Sequence, residues 1–310
     1  MKTRVITALI FGIIMGIFII PGFWSVHFTL PLLIVIGILA SEEFSAVLRN
    51  INLNISRINL MLYNLAFVPG FVYLLVNGYK VYSPQAVRVK AIGLSPNVLT
   101  EIDGILLGKL LLIYSVVILL LSLHSLFKPL FRQGANGLRQ GVLNIAAGLY
   151  VSLPLFAGFL LLYILPAGWY LFVLAITTPW VCDSAALYCG MLWGKKKLAP
   201  LISPNKTLAG FYGGIIGTVV MYILILVFLI PSLFRIEYDF LTLLYVTVVA
   251  IIIAILTQLG DLLASAIKRT CGIKDFSNLM PGHGGIMDRF DSTYFTFISI
   301  LTIALLVCFF

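Results

Sequence analysis

Along this chain apolar residues come in long unbroken runs, without the polar interruptions every second or fourth position that mark a water-facing strand or helix. Nine runs stand out, at about 5–23, 27–41, 58–76, 104–127, 141–165, 168–190, 208–232, 240–262 and 292–310. A helix needs about 20 apolar residues to cross a ~30 Å hydrocarbon core, so each run predicts a span. The second is short and is expected to begin inside the Pro21–Phe28 connection. The first has the basic start of a secretory signal, Lys2 and Arg4, but it is long and no small-x-small cleavage site follows, which predicts a retained helix. The expected architecture is an all-α, polytopic integral membrane protein of about nine transmembrane helices in a single membrane domain. About five spans lie in residues 1–165, and residues 166–310 carry the polar clusters described below.

Composition sharpens this picture. The 310 residues are 61% apolar and 10% charged, with mean hydropathy +1.12, where a soluble domain has roughly 25% charged residues. A soluble fold, a disordered chain, a collagen-like repeat and a disulfide scaffold are all excluded. Charge then sets orientation. With the N-terminus in the cytoplasm, fifteen of the twenty Lys and Arg residues fall in inside segments and four (Lys80, Arg88, Lys90 and Arg235) fall outside; Lys109 lies within a span. This predicts a cytoplasmic N-terminus and an outward C-terminus. The net charge of +9 follows from the same asymmetry and suits anionic headgroups. No stretch has the basic and aromatic character of a nucleic-acid surface.

Other features read as packing. Cys182 and Cys189 share a helical face without forming a C-x-x-C pair, and His27 and His124 sit near span ends without acidic or thiol neighbours. Gly210, Gly213, Gly214 and Gly217 form overlapping small-xxx-small patterns that let two helices approach closely.

Chemistry gathers elsewhere. The 27 residues 265–291 hold seven charges of both signs, where an even spread predicts 2.7. Just before them, Asp261, Ser265 and Lys268 fall on one helix face. An acidic group within a span marks a functional site or a structural ion pair, here with Lys268 or Arg269. Pro281-Gly282-His283-Gly284-Gly285 follows, then Asp288 and Asp291 at one-turn spacing into the last span. Carboxylates beside an amide-rich turn and several bases suit a divalent cation bridging phosphates. A second cluster runs from Asp183-Ser184, inside a span, through Lys195-Lys196-Lys197 to Ser203, Lys206 and Thr207, at the entry to the next span. Amides and hydroxyls at a helix start can hold an anion.

The run Ser265-x-Ile267-Lys268-Arg269-x4-Lys274-Asp275-x-Ser277, then Pro281-x-His283-Gly284-Gly285-Ile286-x-Asp288-Arg289-Phe290-Asp291, resembles the C-terminal motif of phosphatidate cytidylyltransferases (CDP-diacylglycerol synthases). All eleven positions that the motif fixes to one residue are present, and Met280 stands where Leu, Ile or Phe is usual. Asp183-Ser184-Ala185-Ala186 and Ser203-Pro204-x-Lys206-Thr207 resemble a second family region, where Ala209 replaces the usual acidic residue. The likeness covers roughly residues 175–295; the first 165 match only as hydrophobic spans.

The resemblance implies a reaction, CTP plus phosphatidate giving CDP-diacylglycerol plus pyrophosphate with Mg²⁺, in phospholipid biosynthesis at the cytoplasmic face of a bacterial inner membrane. A homodimer is an expectation of the same likeness. It implies metal ligation by Asp261 and Asp288, with Asp291 beside them. Lys268, Arg269, Lys274 and Arg289 would neutralise the phosphates. Ser203, Lys206 and Thr207, with Ser265, Gly284 and Gly285, would hold nucleotide phosphate. His283 either orients a phosphate or braces the glycine turn. Two other readings stand beside this one: a related CTP-using membrane enzyme (a prenol or dolichol kinase, or an ether-lipid synthase), and a secondary transporter with Asp183 and Asp261 on a coupling ion. A transporter would show paired halves with interrupted helices, and the sequence has no such pairing.

Overall fold

In a computed structural model the described residues are 2–53, 55–79, 102–165, 167–230, 239–282 and 284–309. His283, Lys80, Arg88, Lys90, Arg235 and most of the 77–103 connection lie outside them.

The apolar runs form helices because lipid leaves no partner for a free backbone amide or carbonyl. They are α1 (Lys2–Ile19), α2 (Leu30–Leu48), α3 (Arg57–Asn64), α4 (Val68–Val76), α5 (Gly104–Gln133), α6 (Gly137–Ile164), α7 (Gly168–Trp193), α8 (Leu208–Leu224), α9 (Phe240–Thr270) and α10 (Met287–Phe309). By length and apolarity seven helical stretches among the described residues can cross a membrane, or eight if α3 and α4, bent by 43°, form one span. The longest of these stretches, Gly104–Ile164, folds back at residues 134–136. Tyr114 of α5 stacks on Phe156 of α6 at 3.8 Å, and Gly141 lies against Leu126, as in an antiparallel pair.

The all-α membrane fold expected from the sequence is what forms, with two local differences. The second helix does not stop near residue 41 but runs on to Leu48, carrying Glu42 and Glu43. The all-α picture also gains a small antiparallel hairpin, β1 (Lys197–Ala199) with β2 (Ser203–Thr207), so Ser203 and Lys206 lie on a strand rather than at a helix start. Thr207 alone caps α8, its hydroxyl accepting the Gly210 amide at 3.0 Å.

Helix α6 is the axial element. Every residue from Pro154 to Ile164 is buried, against α2, α7 and α10 among others. Polar groups in this core answer breaks in the helices. Where α3 ends, the Tyr63 carbonyl accepts the Ala66 amide at 3.1 Å and the Ser152 hydroxyl at 2.7 Å, and the Ser152 oxygen lies 2.8 Å from the Tyr114 hydroxyl. Helices α7 and α8 pack closely together, and the expected glycine stripe lies between them. A Cβ on Gly213 would overlap Cys189, and one on Gly217 would overlap Ala185. At the outset of α9, Asp239 accepts the hydroxyl and amide of Thr242 at 2.7 and 2.8 Å, which holds its carboxyl below the ordinary carboxylate range.

Candidate active site

Three helices and the hairpin enclose a pocket of about 460 Å³, with Asp183 from α7, Lys206 and Thr207 from β2, and Gln258 and Asp261 from α9 among its walls. The hairpin makes this possible: by leaving the helical path, the chain between α7 and α8 turns Lys206 back over α9. There its ammonium pairs with Asp261, whose other oxygen lies 3.4 Å from the Ser265 hydroxyl. The local alternative in the sequence, Asp261 with Lys268 or Arg269, is not what forms.

Lys268 serves the next carboxylates instead. Its ammonium lies 2.7 Å from Asp288 and 3.7 Å from Asp291, over the face of Phe276. The Asp288 side chain is only 4% exposed. Burying an ion pair this deeply costs several kcal/mol per ion unless further hydrogen bonds complete it. They do. The second Asp288 oxygen accepts the amides of Phe276 and Gly285 at 2.8 and 2.9 Å.

The loop between α9 and α10 is therefore shaped by carboxylates. Helix α9 ends on Gly272 at φ +71°, with the Gly272 and Ile273 amides bonded back to the Arg269 and Lys268 carbonyls, the usual left-handed stop. The Met280 amide bonds the Gly284 carbonyl at 2.9 Å and closes the glycine turn. A Cβ on Gly284 would lie 2.7 Å from the Asp288 carboxylate.

From the other side comes Glu43, a residue that motif reading passes over. It is buried, and it accepts the Ser277 hydroxyl at 2.7 Å and the Ile286 and Met287 amides at 2.8 and 2.9 Å. A carboxylate on the first amides of α10 also meets the positive end of that helix. Its carboxylate fills the space that a Cβ on Gly285 would need. The sequence held one signal: Glu42-Glu43 is the first acidic pair of the chain and ends an apolar run.

The expected site residues thus divide. Asp183, Asp261 and Asp291 act on one another electrostatically, as do Asp183 and Arg289, so the two polar clusters converge. The buried Nε of Arg289 has no hydrogen-bond partner. Arg269 is turned away onto the Ile202 and Ile273 carbonyls at 3.3 and 3.0 Å, tying the hairpin to the loop. Lys274 is exposed, Ser203 half-buried on β2, and His283 outside the described residues. Among the described residues no three His, Cys, Asp or Glu side chains are gathered as a metal set. The reason is local: lysines stand between the carboxylates, and one Asp288 oxygen is committed to backbone amides. The oxygens facing Lys206 and Lys268 are hard carboxylate donors, the kind a Mg²⁺ ion takes.

The sequence profile described as the cytidylyltransferase family matches residues 2–308. The chain belongs to that family. Among curated relatives it is similar to a phosphatidate cytidylyltransferase of Staphylococcus haemolyticus, 43% identical over 129 residues, 41% of this chain and 46% of the relative. It is likewise similar to one of Bacillus subtilis, 43% identical over 121 residues, 39% of this chain and 42% of the relative, and to one of Staphylococcus aureus, 39% identical over 129 residues. The chain spans about half the length of the curated relatives it matches. With its apolar helices, it is an integral membrane protein of the cytidylyltransferase family.

Proposed function

We propose that this protein transfers the cytidylyl group of CTP to phosphatidate, giving CDP-diacylglycerol and pyrophosphate. The observation that carries this reading is the Lys206–Asp261 pair in the pocket wall, with the Lys268–Asp288/Asp291 pairs close enough for Asp291 to act electrostatically on Asp261, in a chain matched over residues 2–308 by the cytidylyltransferase profile. The names of the relatives point to the same substrates.

In this mechanism an oxygen of the phosphatidate phosphate attacks the α-phosphorus of CTP, and the bond from that phosphorus to the β-phosphate oxygen breaks, releasing pyrophosphate. A phosphate monoester has its second pKa near ~6, so the nucleophile is already largely dianionic and needs no strong base. The protein's task is positioning and charge neutralisation. Lys206 and Lys268 exchange their carboxylate partners for phosphate oxygens. Arg289, with its unpartnered Nε, meets the charge that builds on the leaving group, and the Thr207 cap keeps the α8 amides at the pocket wall. Asp261, the Asp288 oxygen that faces Lys268, and Asp291 would hold Mg²⁺, which supplies charge neutralisation on the triphosphate. Glu43 and the second Asp288 oxygen position the glycine loop without touching substrate. Residues 166–310 carry this chemistry, and residues 1–165 enclose it and supply Glu43.

The bias of Lys and Arg supports a cytoplasmic N-terminus, and with the bacterial relatives it supports a site on the cytoplasmic face of a bacterial inner membrane, the side on which CTP is found. The homodimer implied by the family likeness belongs to the same proposal.

The test uses detergent-purified protein, labelled CTP and phosphatidate micelles with Mg²⁺, with diacylglycerol and dolichol as parallel acceptors and EDTA as control. Mg²⁺-dependent entry of the α-phosphate label into lipid with phosphatidate alone supports the proposal, and entry of a γ-phosphate label into dolichol or diacylglycerol, with CDP released, overturns it. Asp261→Asn and Asp288→Asn are expected to abolish transfer in protein that still inserts. Appreciable turnover in both would remove the metal assignment.

A further inference from the structure

On the N-terminal half a second polar pocket of about 350 Å³ lies between α3, α5 and α6 and shares no lining residue with the first. Three of its walls come from one face of α5, where His124, Lys128 and Arg132 recur at four-residue intervals. No carboxylate lines it, and among the described residues neither Lys128 nor Arg132 enters an ion pair. Its floor is built: Asn59 donates to the Ser125 hydroxyl at 2.8 Å, and the Tyr63 hydroxyl lies 3.3 Å from the same oxygen. Pro129 in this wall removes one helix hydrogen bond and favours a kink where the pocket lies. The observation that points to a ligand is Asn144. This side chain is only 6% exposed, lines the pocket, and its amide oxygen has no hydrogen-bond partner. A buried acceptor without a partner costs about 1–3 kcal/mol, which a bound hydroxyl donor recovers. Beside the mouth, Phe127 and Phe131 stack on the exposed face of α5, with Phe131 83% exposed.

We propose that this pocket binds a phosphate ester, with His124, Lys128 and Arg132 on the phosphate, a hydroxyl of the ester donating to the Asn144 amide oxygen, and Phe127 and Phe131 alongside apolar chains when that ester is a phospholipid. The proposal does not depend on the reaction assigned above. Cations without acidic neighbours at the interface select anions, and a pocket of this size accommodates one headgroup. Phosphatidylglycerol is the probe because it has no place in the transfer reaction.

Native mass spectrometry of the full chain in detergent would titrate phosphatidylglycerol, with phosphatidylcholine as the zwitterionic control. The unaltered protein should hold a phosphatidylglycerol adduct that phosphatidylcholine does not form. Lys128→Gln with Arg132→Gln should weaken it roughly 25-fold, taking about fivefold per charge near the membrane. Gln140→Glu, which sets a negative charge in the pocket wall without changing side-chain length, should weaken it as well. Arg139→Gln makes the same kind of charge change on an exposed residue outside the pocket and should leave the adduct in place; thermal midpoints close to that of the unaltered protein exclude misfolding. Displacement of the adduct by millimolar inorganic phosphate or glycerol 3-phosphate would keep the phosphate site and make its source soluble. Equal affinity in all the proteins, or equal loss in Arg139→Gln, would overturn the proposal.

Discussion

Lys268 and Glu43 do the most at the scale of single residues. Lys268 neutralises two carboxylates that the rest of the loop cannot release, since Asp288 is fixed by amides and Asp291 accepts the Ser292 amide at 2.7 Å. Lys268→Met should therefore strand two acids in a nearly buried setting and destabilise by about 3–5 kcal/mol. The detergent thermal midpoint would fall sharply, and Lys268→Arg should recover part of the loss. An unchanged midpoint in Lys268→Met would mean that water already screens the pair. Glu43→Gln keeps the shape but turns an amide group toward an amide or hydroxyl donor. It should cost about 2 kcal/mol and expose residues 276–286 to limited proteolysis, while Glu42→Gln, in the exposed pair with Arg57, should do neither. Protease resistance equal to that of the unaltered protein would remove Glu43 from its bracing role. Glu43 shows what sequence reading lacks at this scale: nothing adjacent to it in the chain names its partners, which come 234 to 244 residues later.

At the level of elements, pocket geometry rests on how closely α7 and α8 approach. Glycine leaves room for backbone contact, and a Cβ on Gly217 would overlap Ala185. Gly217→Val should cost about 1–3 kcal/mol through overpacking, and it should raise KM for CTP more than it lowers kcat, because Asp183 lies on α7 and Thr207 caps α8, the two helices being separated. Gly108→Ala, with nothing within 4 Å of its Cβ, should leave stability and kinetics unchanged. Steady-state kinetics of both variants in one micelle decide this. The helices and the glycine stripe were legible as apolar runs and small-residue spacing. The hairpin was not, because three- and five-residue strands leave too short a pattern to read and are held by pairing Lys197 with Thr207 across the turn.

For the whole molecule, the charge map predicts one orientation. In a chain with its four native cysteines replaced, Lys195→Cys should react with an impermeant maleimide only when the cytoplasmic face is exposed, in inverted vesicles. Arg88→Cys should react only in right-side-out cells. Reversed labelling would invert the topology and move the site away from its nucleotide supply. The sequence by itself determined that the chain lives in a membrane, because the free energy of burying long apolar runs depends on composition and length alone. It also marked the acids and bases of the 265–291 segment and their family likeness, since those residues lie within a few turns of one another. Tertiary structure decided the pairing: Asp261 with Lys206 rather than Lys268, Arg269 onto carbonyls, and Glu43 into the glycine loop. Ion pairs in a low-dielectric interior go to whichever opposite charge the packed backbone brings within reach with its remaining hydrogen bonds satisfied. Proximity along the chain does not decide that choice.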